Sequence, residues 1–146
     1  MTAIIPVRTD LPAGFDTLRD EARDEGHAHM ERLAADWVTG VNRFDAAGEA
    51  LLSAFVAGTL AGIGGITIDP AGTTALRMRR FYVRPAFRRH GVGRRMAEAL
   101  IAQASHASEH LVLNAETELA ARFWEALGFV PDRRDGHTHV RHRPSI

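Results

Sequence analysis

The 146-residue chain carries 18 arginines, no lysine and 18 carboxylates, so its formal net charge is zero with histidine neutral. A hydrophobic content of 45% excludes disorder and supports one domain over residues 1–146 that buries its own core. The absence of cysteine excludes disulfides, thiolate metal sites and a cysteine nucleophile; no apolar run reaches the ~18 residues of a membrane span, and MTAIIPVRTD lacks an export signal, so a cytoplasmic enzyme or binding module is expected.

Ala3 to Val7 reads as a short edge strand, because Pro6 is tolerated there and not centrally. Phe15, Leu18 and Ala22 take helical spacing, Gly26 interrupts, and Met30, Leu33, Ala34 and Trp37 form the face of a second helix that ends at Gly40. From Leu51 to Ile68 the pattern changes to β, with a hairpin turn near Gly58. Gly62, Gly64 and Gly65 inside the second of these strands signal a bulge or a close backbone approach. Asp69-Pro70-Ala71-Gly72 then turns the chain into a third antiparallel strand beginning at Leu76.

That strand breaks at Pro85 and passes through Arg88-Arg89-His90-Gly91-Val92-Gly93 into a helix reaching about Ser105, with Val92, Met96, Ala99 and Leu100 on its apolar face. His110 to Asn114 is a short buried strand, and the strand–helix–strand order implies a right-handed crossover to a parallel neighbour. Thr117 to Leu127 is the next helix, stopped by Gly128, and Phe129-Val130 with Thr138 to Arg143 close the sheet as a hairpin over Asp135-Gly136. The fold class is therefore α/β: a mixed, mostly antiparallel sheet with one parallel pair, flanked by helices.

Charge is uneven along this order. Arg77 to Arg95 holds eight arginines and no carboxylate, leaving ten arginines against 18 acids elsewhere, a balance of −8. A strand, a basic glycine turn and a helix start in succession make an anion site, since the first helical N–H groups lack partners and the dipole favours negative charge. Phosphate or pyrophosphate is the expected ligand. Nucleic acid is a poorer fit, because no stacking aromatics are interleaved and the protein as a whole is neutral.

Two segments carry a resemblance. Val83-Arg84-Pro85 followed by Arg88-Arg89-His90-Gly91-Val92-Gly93, and Ala120-Ala121-Arg122-Phe123-Trp124-Glu125-Ala126-Leu127-Gly128-Phe129, are similar to the two signatures of the GNAT superfamily of acyl-CoA-dependent N-acyltransferases. The resemblance covers roughly residue 11 onward. It implies that the central parallel pair splays apart, and that acetyl-CoA is the cosubstrate and a primary amine the acceptor, with direct attack and no covalent enzyme intermediate. Its pyrophosphate would lie on the backbone of Arg88, Arg89, His90, Gly91, Val92 and Gly93, near Arg94. Its pantetheine arm would run along Phe81, Tyr82 and Val83, in a gap bounded by Asn114, Thr117, Phe123 and Trp124. An N–H near Val83 would hold the developing oxyanion, and Glu116 or water would take the amine proton.

The sequence departs from the family at Trp124, where many members place an acidic tyrosine, and at Thr117, where asparagine is frequent. It also has Arg77, Arg79 and Arg80 where a carboxylate base is common. These departures leave a second reading, an acyl-CoA-binding module without catalysis. His27 and His139 fall in regions that line the acceptor site in the family, and Arg79 or Arg80 would bind an acidic group there. The His27-x-His29 and His137-x-His139-x-x-His142 spacings read as ordinary histidines, with no metal expected. Family membership also allows a homodimer, and no membrane partner is expected.

Overall fold

The computed structural model describes residues 1–144 and contains one seven-stranded sheet. The chain runs β1 (Thr2–Pro6), α1 (Phe15–Asp24), α2 (His29–Thr39), β2 (Ala50–Val56), β3 (Thr59–Ile68), β4 (Leu76–Val83), a 3-10 turn (Pro85–Phe87), α3 (Val92–Ser105), β5 (His110–Leu113), α4 (Glu118–Glu125), β6 (Val130–Arg134) and β7 (His137–His142). Spatial order is β1-β2-β3-β4-β5-β7-β6, with β4 and β5 parallel and every other neighbouring pair antiparallel. The expected α/β class and element order hold. Both prolines within strands, Pro6 and Pro131, lie on the sheet's edge strands, where a missing N–H costs no ladder bond.

The final hairpin differs in detail from the sequence reading. β6 continues to Arg134 and β7 starts at His137, because Asp135 (φ 51°) and Gly136 (φ 78°) form a two-residue turn that lets both strands run up to it. Ala57 (φ 49°) and Gly58 (φ 82°) make the corresponding turn between β2 and β3.

The pleat divides the core into two layers. On one face α3 and α4 bury Val92, Met96, Leu100, Trp124 and Phe129 against Leu52, Met78, Leu111 and Leu113. On the other α1 and α2 bury Phe15, Leu18, Met30, Leu33 and Trp37 against Leu51, Leu60, Ile63 and Tyr82. No helix among the described residues is long and apolar enough to cross a membrane.

The β3 glycines follow from what lies above them. A Cβ on Gly65 would stand 2.5 Å from the Phe44 ring, and one on Gly64 would stand 2.7 Å from the Phe81 ring. Opposite Gly64 the β3–β4 register slips, so that Arg80 and Phe81 together face one residue, with Arg80 at φ 57°. This is a β-bulge, and it marks where β4 turns away from β5. Gly64→Ala is expected to displace Phe81 and cost about 1–3 kcal/mol; denaturant unfolding measures it, and an unchanged midpoint would show that the bulge relaxes freely.

Candidate active site

The site begins where a ladder stops. β4 pairs with β5 only at Leu76/Leu111 and Arg77/Val112, so from Met78 to Val83 the β5-facing edge of β4 has no strand beside it. Arg84 N–H donates to Ala61 O across the β3 side, at 2.8 Å. Alternation along a strand therefore points the N–H and C=O of Phe81 and Val83 into the gap. Both of those carbonyls are taken by side chains: His29 Nε2 lies 3.2 Å from Phe81 O, and Arg88 Nε donates to Val83 O at 3.0 Å. What the open edge offers is its N–H donors.

At the end of the same strand, Arg89 (φ 67°) and Gly91 (φ 79°) carry the chain through left-handed backbone into α3. Gly91 is the N-cap and supplies no side-chain bond, so the N–H groups of Val92, Gly93 and Arg94 lack intrahelical acceptors. A Cβ on Gly91 would meet nothing within 4 Å, while one on Gly93 would stand 3.3 Å from Val83 and 3.6 Å from Phe123. Free donors, the positive end of a helix dipole and this narrow approach fit a pyrophosphate at the turn and an extended arm along β4. The N–H of Arg88 is already given to Pro85 O, at 3.3 Å.

The arginines of the turn divide. Arg88 grips Glu25 with two bonds, of 2.6 and 2.9 Å, and lies over the Tyr82 ring. Arg84 grips Glu21 through bonds of 2.9 and 3.1 Å and donates to Leu60 O. Both guanidiniums thus tie the turn to the end of α1, leaving Arg89, His90 and Arg94 exposed at the rim. Tyr82 OH donates to Glu25 Oε1 at 2.5 Å, and burial together with that carboxylate pushes the phenol upward, so Tyr82 keeps its proton. The hydrogen bonds from Arg88, then from Tyr82, lower Glu25 to about 2 despite some desolvation.

On the α4 side of the gap, Phe81 contacts Phe123 and Trp124, with ring centroids 5.9 and 4.8 Å away. Trp124 is buried and also packs on Phe129, so it is a wall of the core as well as of the gap. Thr117 Oγ1 accepts from Ala120 N at 3.1 Å and serves as the N-cap of α4. Asn114 and Glu116 are exposed at the end of β5, on either side of buried Ala115.

On the α1–α2 side, His27, His29 and Tyr82 form a cluster of rings, with His27 exposed and His29 half-buried. Phe81 O can only accept, which places a proton on His29 Nε2 and leaves the Nδ1 lone pair unprotonated. Burial first, then the charges of His27 and Arg80, lower the His29 pKa against the opposing pull of Phe81 O and Glu116, so His29 is neutral at neutral pH. The sequence reading names His27 of this pair; His29, which it passes over, is the one that reaches Phe81 O, and the only signal favouring it is its position as the first residue of α2. Arg79, in register with Gly65, lies on this same face by alternation from Met78, and the bulge brings Arg80 there too, where it reaches Asp36 of α2 at 3.6 Å. His139 is not part of this group. It is buried, with Nε2 2.8 Å from Glu125 Oε2 on α4. Among the described residues no cluster of three or more His, Asp or Glu side chains is placed to hold a metal.

Residues 49–131 match the family described as the acetyltransferase (GNAT) domain. A provisionally assigned acetyltransferase from Exiguobacterium sp. 255-15 is similar over 97% of this chain and 93% of its own, at 25% identity and TM-score 0.87. An acetyltransferase from Streptococcus agalactiae 2603 shares the fold at 16% identity, covering 97% and 98% of the two chains with TM-score 0.75. So does the PaiA N-acetyltransferase of Thermoplasma acidophilum, solved in complex with coenzyme A, at 17% identity, 97% and 99% coverage and TM-score 0.68. No curated protein sequence matches.

Because Glu25 falls from an ordinary 4.5 to about 2 in the folded chain, the Arg88 clamp contributes stability above pH ~4.5 that is lost as pH falls toward 2. Glu25→Gln should therefore shrink the difference in melting temperature between pH 7 and pH 3. An undiminished difference would place the acid sensitivity elsewhere.

Proposed function

The chain belongs to the GNAT acetyltransferase family, and on that premise we propose that it is a single-domain N-acetyltransferase moving an acetyl group from acetyl-CoA to a primary amine. The observation that carries this reading is the open edge of β4, which from Met78 to Val83 has no strand beside it, running into the uncapped N-terminus of α3. Binding of coenzyme A by the structurally similar PaiA enzyme supports the same ligand here.

In this reading the backbone of Arg89 to Gly93 holds the pyrophosphate and Phe81 to Val83 hold the pantetheine arm. The acyl donor supplies an activated carbonyl, to which the amine nitrogen bonds as the carbon–sulfur bond breaks and the sulfur leaves as a thiolate, which takes its proton from water. Val83 N–H faces the gap and stabilises negative charge on the carbonyl oxygen. His29, neutral and with Nδ1 unprotonated, takes the amine proton, and the nearby Glu116 charge steadies the imidazolium so formed. Glu116 by way of water is the alternative acceptor of that proton.

The replacement of a tyrosine by Trp124 favours a second reading, a non-catalytic acyl-CoA-binding module, since an indole N–H does not protonate a leaving thiolate. Thiol release from acetyl-CoA with a panel of primary amines decides between them: release above the amine-free rate supports the enzyme, and coenzyme A binding without release supports the module.

Two variants test the assignments. Gly91→Val puts a β-branched side chain at φ 79° beside the phosphate turn and should weaken coenzyme A binding at least tenfold by calorimetry, with the fold retained in circular dichroism. His29→Gln should lower kcat about a hundredfold. In the wild type, activity should rise with pH through a midpoint below the ordinary histidine value of 6.5, as the folded His29 pKa is lowered, and the variant should lose that limb.

A further inference from the structure

The three arginines of β4 do not share one fate. Arg77 is saturated: Nε donates to Asp69 Oδ1 at 3.0 Å, and the two terminal nitrogens reach Gly136 O and Asp135 O at 3.0 and 3.2 Å. Arg80 has Asp36, at 3.6 Å. Arg79, between them, has neither a hydrogen bond nor an ion pair among the described residues, although it is half-buried. The charged groups acting on it are Arg77, Asp36 and Glu49. Of the two acids, Asp36 is occupied by Arg80, and Glu49 accepts from the N–H groups of Ala46 and Ile68. One guanidinium is left over on a partly desolvated face. An arginine stays ionised there at neutral pH, because its ordinary pKa is so high.

The position of this spare charge is defined by the strand. Arg79 lies two residues before Phe81, about 7 Å along β4 from the open N–H edge, on the face where His29 sits. We propose, resting on the acetyl-transfer reading above, that the acceptor amine carries a carboxylate a few bonds from its nitrogen, and that Arg79, with Arg80 beside it, binds that carboxylate. Short amino acids have this chemistry. A polyamine would bring a second positive charge to two guanidiniums.

Amino acids paired with their own amides test this, since each pair differs little in size while the acid carries the negative charge. Wild-type kcat/KM should favour the acids by on the order of ten- to a hundredfold, the worth of a charge-assisted hydrogen bond. Arg79→Gln should abolish that ratio through KM with kcat nearly unchanged, Arg79→Lys should keep part of it, and the exposed Arg133→Gln should keep all of it. Equal use of acids and amides by the wild type overturns the proposal. The melting temperature of Arg79→Gln should be no lower than that of the wild type, because an unpaired half-buried charge is removed; a fall of several degrees would make Arg79 structural and also overturn it. If no amine releases thiol, the acetyl-transfer reading fails. Calorimetric titration of the acids into coenzyme A-loaded protein then decides the arginine: binding lost in Arg79→Gln supports it, and no binding to wild type ends it.

Discussion

The constraint on which the structure depends is the short parallel ladder between β4 and β5. Two residue pairs hold the strands together and then they part. A sheet interrupted in its centre leaves backbone donors with no strand to receive them, which is costly in a buried region unless something else pairs with them. The bulge at Arg80 and Phe81 and the glycines of β3 make the interruption possible, since Phe81 fits only where Gly64 has no side chain. Separation of the strands is thus built into packing two and three residues away.

The open edge is asymmetric in a chemically useful way. The carbonyls of Phe81 and Val83 are occupied by His29 and Arg88, while no strand lies beside this edge to take its N–H groups. Both residues are tied to the α1–α2 side of the sheet: His29 opens α2, and Arg88 is clamped to Glu25 at the end of α1. The end of β4 and the α1–α2 connection are consequently one mechanical unit, held by Arg84–Glu21, Arg88–Glu25 and the Tyr82 hydroxyl.

This arrangement redistributes the basic segment. Its eight arginines look in sequence like one positive patch, yet Arg77, Arg84 and Arg88 are each neutralised by an acid 8 to 63 residues away in the chain. The excess of acid elsewhere supplies their partners. What remains positive is small and localised: the rim of the glycine turn on one side, and Arg79 on the other.

Sequence alone determined the class, the order of strands and helices and the glycine turn that opens α3, because hydrophobic period, glycine and proline act through local sterics that neighbouring residues report. Gly26, Gly40 and Gly91 each marked a boundary for that reason, and Pro6 marked an edge strand. The length of the last hairpin was less legible, since Asp135-Gly136 permits strands of several lengths and cross-strand pairing chooses among them. Only the tertiary structure decided which arginines are spent, that His29 and not His27 reaches the β4 carbonyl, that His139 pairs with Glu125 of α4, and that Thr117 caps a helix. Those outcomes depend on which charges and hydrogen-bonding groups meet across the sheet, and no local pattern encodes a partner dozens of residues away.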